Sequence, residues 1–310
     1  MKIAIVGAGL SGLTCADRLV SKGHQVTLFD KARGPGGRMS TRRLTTVLGD
    51  AYFDHGVQYF TVRDEAFKAV VEQWQTEGLA MPWPVAAADA WVGTPSMNSP
   101  VKWMANRHQV VWSARVEAIR PQDAGWRLIG EGITDTTFDA VVLAVPAEQA
   151  AVLLAPIDSV FHQLALSTPS IPCWTLMLAF AEPLSVRRVI LRDDAVIRWA
   201  ACNSSKPRRS GPHSWVVHAA TQWSIEHLEE SEDTVQRHLV QRFEKLIGFT
   251  LPEPLAVTVH RWRYAESGNI KQTALYNPQQ KLGVCGDWML GSRVECAWLS
   301  GEALGRMITD

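Results

Sequence analysis

Short apolar runs and helically spaced apolar stripes alternate at the start of the chain. Lys2–Val6 is an apolar run of buried-strand length, and Gly7-Ala8-Gly9-Leu10-Ser11-Gly12 follows it as a turn. Leu13, Ala16, Leu19 and Val20 recur at helical spacing over Leu13–Ser21, and Gly23 ends that helix with a left-handed-friendly residue. Gln25–Phe29 reads as a second strand ending on Asp30, so the first thirty residues predict a β–α–β unit. A glycine-rich loop, Gly34-Pro35-Gly36-Gly37, comes next. Arg63–Gln75 is predicted as a helix carrying Phe67, Val70, Val71 and Trp74 on one side. Residues 78–100 are Pro-rich and lack periodicity, which predicts a long loop or short excursion. Val110–Arg120 and Trp126–Ile129 read as antiparallel strands. Phe138–Pro146 is a continuous apolar run, the pattern of a strand covered on both faces.

From Pro169 to about Gly268 the pattern changes. Strand-like runs at Trp174–Phe180, Val196–Ala201, Trp215–Thr221 and Ala256–Tyr264 are separated by Pro, Ser and charge clusters. One helix interrupts them, Thr234–Ile247, with an acidic entry (Glu229, Glu230, Glu232, Asp233) and a basic exit (Arg242, Lys245) as its dipole favours. Gly283–Asp287 predicts a last buried strand with its turn, and Val294–Ile308 a last helix. The expected fold is therefore α/β. A parallel sheet with helices and a small antiparallel sheet would form a discontinuous dinucleotide-binding domain (1–77, 101–168, 269–310). A strand-rich α+β substrate domain (78–100, 169–268) would be inserted in it.

Composition narrows the function. With 31 Lys+Arg against 31 Asp+Glu the formal net charge is zero, which argues against a nucleic-acid partner. No apolar stretch reaches the ~20 residues of a membrane span, and Ile3–Val6 is too short for a leader. Five Cys form no CxxC and no metal-like pairing with His, so reduced thiols in the cytoplasm are expected, with no metal. The short basic cluster Lys206-Pro207-Arg208-Arg209 is flanked by Ser and reads as a solvated loop. Tryptophan is over-represented: 13 Trp against 4 Tyr and 9 Phe, none before Trp74.

The glycine turn has the context that gives it meaning: a strand before, a helix after, and Asp30 eighteen residues beyond Gly12. Gly7 permits the tight turn, Gly9 lets the backbone approach a diphosphate, and Gly12 lets the helix pack on the sheet. The helix that follows the turn offers free N–H groups and a positive dipole end, which suit phosphates. Asp30 suits ribose hydroxyls and would repel a 2′-phosphate. These features fit FAD and NAD equally.

Gly36-Gly37-Arg38-Met39-Ser40-Thr41 resembles the GG doublet of the amine-oxidase-like FAD superfamily. It departs in one respect, because Gly34 stands where an Arg usually precedes the doublet. Cys285-Gly286-Asp287, followed by Arg293-Val294-Glu295-Cys296-Ala297, resembles the superfamily's closing GD motif and the helix that points at the flavin. A finer resemblance is to the renalase family, especially its short bacterial members. It rests on Phe29-Asp30-Lys31, Gly36–Thr41, Phe53–Phe60, Asn203–Pro207, Val217-His218-Ala219, Gln222–Ser224, His260-Arg261-Trp262, Gly286-Asp287-Trp288 and Ala297–Gly301.

This resemblance implies noncovalent FAD. The cofactor would be held by Gly7, Gly9, Leu10, Ser11, Gly12, Asp30, Lys31, Gly37, Arg38, Met39, Gly56, Val57, Gln58, Tyr59, Val116, Gly286, Asp287, Arg293, Val294, Glu295 and Ala297. It further implies oxidation of 2- or 6-dihydro isomers of NAD(P) to NAD(P)+, with O2 reduced to H2O2. A flavin amine oxidase and a flavin-binding redox regulator are the alternatives. Tyr59, His55, His218 and Trp288 are the candidates beside the reacting ring. His55 reads equally as a hydrogen-bonded loop residue, and His218 as a satisfied core histidine. Trp288 is expected to be an aromatic wall. Arg261 and Arg263 share one strand face and Trp262 the other, and either face could line the cavity.

Overall fold

The structure, a computed structural model, describes residues 1–122, 125–192 and 194–309. Asp310, last in the expected dinucleotide-binding domain, lies outside them. The run Lys2–Val6 forms a strand deep inside a six-stranded sheet. Its parallel neighbours are Gln25–Asp30 on one side and Ala140–Leu143 on the other. Gln109–Trp112 and Leu282–Val284 extend the parallel set outward, and Leu275–Asn277 closes one edge antiparallel. Ile3 and Ile5 pack into the core on one face and Ala4 and Val6 into that on the other, which explains the unbroken apolar pattern.

On the first face lie the helices Leu10–Ser21 and Val294–Thr309. They approach closely because the second helix presents glycines. A Cβ on Gly301 would sit 2.2 Å from the Ser11 carbonyl oxygen, and one on Gly305 would sit 2.7 Å from the Arg18 side chain. The second face carries an antiparallel sheet of Arg115–Gln122, Gly125–Glu131 and Thr137–Phe138. Two helices also join the core on this side, Ala147–Leu154 and Ser159–Leu166, neither of which the apolar spacing had marked.

The insert forms a five-stranded antiparallel sheet in the order Ile190–Arg192, Ile197–Cys202, His213–Ala219, Ile171–Phe180, Ala256–Glu266. Trp174, Leu176, Leu178, Trp215 and Val217 on one face pack against Val235, Leu239 and Phe243 of the helix Glu232–Ile247. Ser231 caps that helix and Gly248 ends it at φ 83°. The opposite face meets the hairpin Arg42–Phe53: Met177, Ala179 and Val216 share a core with Ala51 and Phe53.

Two expectations need correction. The expected strand Val110–Arg120 is two strands in two sheets, because Ser113 turns the chain at φ 55° and its N–H donates to the Ala32 carbonyl. Residues 78–100 are not simply a loop. Ala80–Pro82 and Ala90–Gly93 pair with each other, and the latter also pairs with Phe60–Thr61. Trp83, Val92 and Met97 enter the core around the first helix.

Candidate functional site

At the glycine turn, steric fit separates the three glycines. A Cβ on Gly7 would meet the Ala144 carbonyl oxygen at 2.3 Å, and one on Gly12 would meet the Gly7 carbonyl oxygen at 2.1 Å. Gly9 differs, since a Cβ there would meet nothing within 4 Å. Its bare backbone faces open space at the helix N-terminus, where it acts as a cap without any side-chain hydrogen bond. The buried Ser11 hydroxyl also lacks a partner among the described residues. Unpaired donors at a helix start are what a diphosphate satisfies, so the cradle fits a dinucleotide. Asp30 steadies the turn by accepting the Ala8 and Ala32 N–H groups, each at 2.8 Å.

Beyond Asp30 a cavity of about 400 Å³ is lined by Lys31, Ser113, Arg115, Glu117 and Glu131. Burial, and then the neighbouring Arg115, lowers the Lys31 pKa from its ordinary value. Val116 alternates with Arg115 and Glu117 and packs against the sheet core instead.

The second glycine loop folds back onto the first. Gly37, at φ 51°, would place a Cβ 3.7 Å from the Gly9 Cα. Arg38 follows, and its guanidinium makes two 2.6 Å bonds to the two carboxylate oxygens of Asp287. That pair joins loops 249 residues apart. The Arg38 carbonyl accepts the Val57 N–H at 2.9 Å, and a Cβ on Gly56 would lie 2.1 Å from it. Gly37–Met39, Gly56–Gln58 and Gly286–Asp287 therefore converge; Met39 is buried, and the Gly286 N–H donates to Ser300. Val294 and Ala297 lie half-buried in the first turn of the closing helix. Glu295 turns elsewhere: it is buried and accepts the N–H groups of Arg63 and Asp64, with exposed Arg293 bonded to its other oxygen.

The segment between the glycine loops and the insert sheet is held by one carbonyl. His55 O accepts from Thr175 Oγ1 (3.2 Å), His218 Nε2 (3.1 Å) and Trp262 Nε1 (3.0 Å), three donors from the facing sheet. The His55 ring lies 5.0 Å from His260 and 4.9 Å from Trp262, and the Trp262 ring edge would be 3.2 Å from a Cβ on Gly56. Burial, helped by His260 and the Arg42 charge, pushes His55 down to about 3. Burial and then Arg198 push His218 to about 3, and burial and then Arg42 push His260 to about 4. All three rings are neutral and only weakly basic near neutral pH. Tyr59 packs on Trp199 at 5.6 Å, and Arg192 lies over the Trp199 ring.

Behind His55 sits a buried ionic cluster. Asp54 accepts from Lys206 Nζ at 3.1 Å and Arg209 Nη2 at 2.6 Å, with all three side chains no more than 2% exposed. Its other oxygen accepts the Thr41 hydroxyl and the Met97 N–H. Gln58 donates to the Asp54 carbonyl and accepts from Lys206 at 3.3 Å. The two cations outweigh burial and hold the Asp54 carboxyl far below its usual range. Burial lowers Lys206 to about 8 in spite of Asp54.

Three sequence expectations change here. Trp288 is no wall: its ring is fully buried in the sheet core and its N–H donates to the Val145 carbonyl, leaving no face for a ligand. The cluster Lys206–Arg209 is not a solvated loop, for only Arg208 is exposed, and Lys206 and Arg209 are drawn inward by Asp54. The two faces of the last insert strand also separate. Arg261 and Arg263 both pair with Glu229, while Trp262 reaches His55. Asp54 was legible only as a letter within Phe53–Phe60, since its partners lie about 150 residues on.

A parallel sheet, a glycine-turn helix start, an acid ending the second strand and a second glycine loop locked to the closing turn define a Rossmann-like dinucleotide-binding protein with an inserted antiparallel domain. The comparisons extend that class. Residues 5–74 match the NAD(P)-binding Rossmann-like domain, and residues 84–303 match the flavin containing amine oxidoreductase family, to which the chain belongs. It is thus a flavin-dependent oxidoreductase of amine-oxidase-like fold.

Among curated relatives it is similar to renalase of Mus musculus, 24% identical over 294 residues, covering 86% of this chain and 85% of that one. A shorter match, 47% over 73 residues, is to 4,4′-diapophytoene desaturase of Staphylococcus haemolyticus; it covers 24% of this chain and 14% of that one. Among solved structures, cyclohexylamine oxidase from Brevibacterium oxydans superposes with a TM-score of 0.74 at 13% identity, over 99% of this chain and 98% of that one. Wild-type putrescine oxidase bound to putrescine gives 0.68 at 12% identity, with the same coverage of both chains.

Proposed function

We propose that the chain binds FAD noncovalently and oxidises 2- or 6-dihydro isomers of NAD(P) to NAD(P)+, with O2 taken to H2O2. The observation that carries this reading is the face opposite Gly56–Tyr59. It is built from flat rings and from histidines held neutral and weakly basic, with the His55 carbonyl already saturated by three donors. A dihydropyridine that aromatises as it loses hydride needs no base, only alignment, so such a face suits it. Similarity to renalase over most of both chains supports the same substrate class. FAD, when bound, supplies the hydride acceptor and the route to oxygen.

The chain's residues supply the geometry. Gly7, Gly9, Leu10, Ser11 and Gly12 would hold the diphosphate, and Asp30, Lys31 and Val116 the adenosine end. Gly37–Met39, Gly56–Tyr59, Asp287 and the start of the closing helix would hold the ring end. Tyr59 and Trp262 would orient the substrate ring, with His55 and His218 fixing the backbone beneath it. Net, one dihydronicotinamide, one O2 and one proton give NAD(P)+ and H2O2.

Anaerobic titration with 2- and 6-dihydro-NAD should bleach the flavin absorbance, and readmitted air should restore it with peroxide formed. If these isomers leave the flavin oxidised while a primary or secondary amine reduces it, the protein is an amine oxidase. A reduced flavin stable in air would mark a redox regulator instead.

A further inference from the structure

We propose that His227, Glu230 and His238 form a binding site for a divalent transition-metal ion of the zinc type, on the insert and apart from the dinucleotide cradle. One ligand atom from each residue lies within 4.8 Å of the other two. Three atoms so spaced share a centre within about 2.8 Å of each, so shifts of roughly 0.6 Å bring them to Zn–N and Zn–O bond lengths of about 2.0–2.2 Å.

The side chains are prepared for this in two ways. His227 stacks on Trp223 at 4.1 Å, and its Nδ1 lies 2.8 Å from the Trp223 carbonyl. That carbonyl can only accept, so the proton sits on Nδ1 and the lone pair on Nε2. Nε2 faces Glu230 Oε1 at 4.0 Å. A ring nitrogen donating to a backbone carbonyl is the usual support of a metal-bound histidine. Glu230 Oε2 is buried and has no hydrogen-bond partner among the described residues; it faces His238 Nδ1, also at 4.0 Å. A buried carboxylate oxygen facing an imidazole nitrogen beyond hydrogen-bond reach is a gap that an ion fills.

Two imidazoles and one carboxylate, with no thiolate, select Zn2+, Co2+ or Ni2+ over Mg2+ and Ca2+. His238 is 44% exposed at its side chain, which leaves water room to complete the coordination. The ion would pin the turn 227–230 to the helix Glu232–Ile247. Glu229 in that turn holds Arg261 and Arg263, which flank Trp262 on its strand.

The test is calorimetric titration of ZnCl2 into tag-free, EDTA-washed holoprotein. One Zn2+ per chain is expected, with binding weakened at least tenfold in His238→Gln and in Glu230→Gln and unchanged in the remote His24→Gln. Saturating Zn2+ should raise the melting temperature of the wild type and not of His238→Gln, since only a folded chain assembles the three ligands. No binding, or equal binding by wild type and His238→Gln, would overturn the proposal and leave His–Glu–His contacts alone. Neither outcome depends on which substrate the flavin site takes.

Discussion

Replacing Asp54 with Asn removes the carboxylate that Lys206 and Arg209 share in a space with almost no solvent access. Breaking one side of a buried ion cluster costs about 3–5 kcal/mol, because the remaining charge is left without compensation. An unfolding entropy of about 2.1 cal/mol/K per residue, over 310 residues, converts this to a fall in Tm of about 5–8 °C. The loss carries a pH signature. Burial lowers Lys206 to about 8, so it is charged at pH 7 and neutral well above that.

A lysine with a depressed folded pKa weakens the fold while charged. Stability therefore rises as pH passes from about 8 towards the ordinary 10.5. In Asp54→Asn the missing attraction to Lys206 matters only while that lysine is charged. The gap between variant and wild type should accordingly narrow by pH 9.5, where only the contact with Arg209 is still missed. Melting followed by circular dichroism at the two pH values measures both. Adding Lys206→Met should recover part of the loss at pH 7, since the two sites share one network. A fall in Tm below about 1 °C at pH 7, or an equal gap at both pH values, would refute the argument.

The cradle and the histidines make further predictions. Gly9→Ala meets open space within the protein, so the variant should fold and melt as the flavin-free wild type does, yet purify with little flavin. Gly12→Ala, blocked by a carbonyl at 2.1 Å, should lose stability and flavin together; absorbance ratios with melting curves separate the two. His55, His218 and His260 have folded pKa values far below 6.5, so their stability is intact above 6.5 and lost as pH falls through the unfolded value towards 3–4. Near pH 5 the unfolded chain takes up about three protons that the folded chain refuses, a slope of about 4 kcal/mol per pH unit. Urea unfolding at pH 5 and 6 measures it, and a slope of one proton or less would contradict neutral burial.

How much the sequence foretold depended on the range of the force. The β–α–β unit and its glycines were readable because strand, turn and helix lie within thirty residues and each signal is local. The helix Glu232–Ile247 was readable for the same reason, though its cap at Ser231 lies three residues before the expected start. Lys206 and Arg209 misled because long cations are rarely buried without a partner, and theirs lies about 150 residues away. Trp288 misled differently: adjacency to Asp287 placed its backbone at the site, but the ring turned into the core to donate to Val145. Trp262 was left open because alternation along a strand gives two faces without saying which one is inside.

The order of strands in the parallel sheet bears on how the protein is made. Leu282–Val284, beside Ala140–Leu143, and Asp287, locked to Arg38, emerge from the ribosome long after the glycine turn they complete. Until then the first helix lacks Gly301 and Gly305 as neighbours, and Arg38 lacks its carboxylate partner. Pairings this distant in sequence form slowly and leave apolar strand edges waiting. Capture of the proposed flavin would thus be a late event in the life of the nascent chain, and flavin supply would act on yield by rescuing nearly finished molecules.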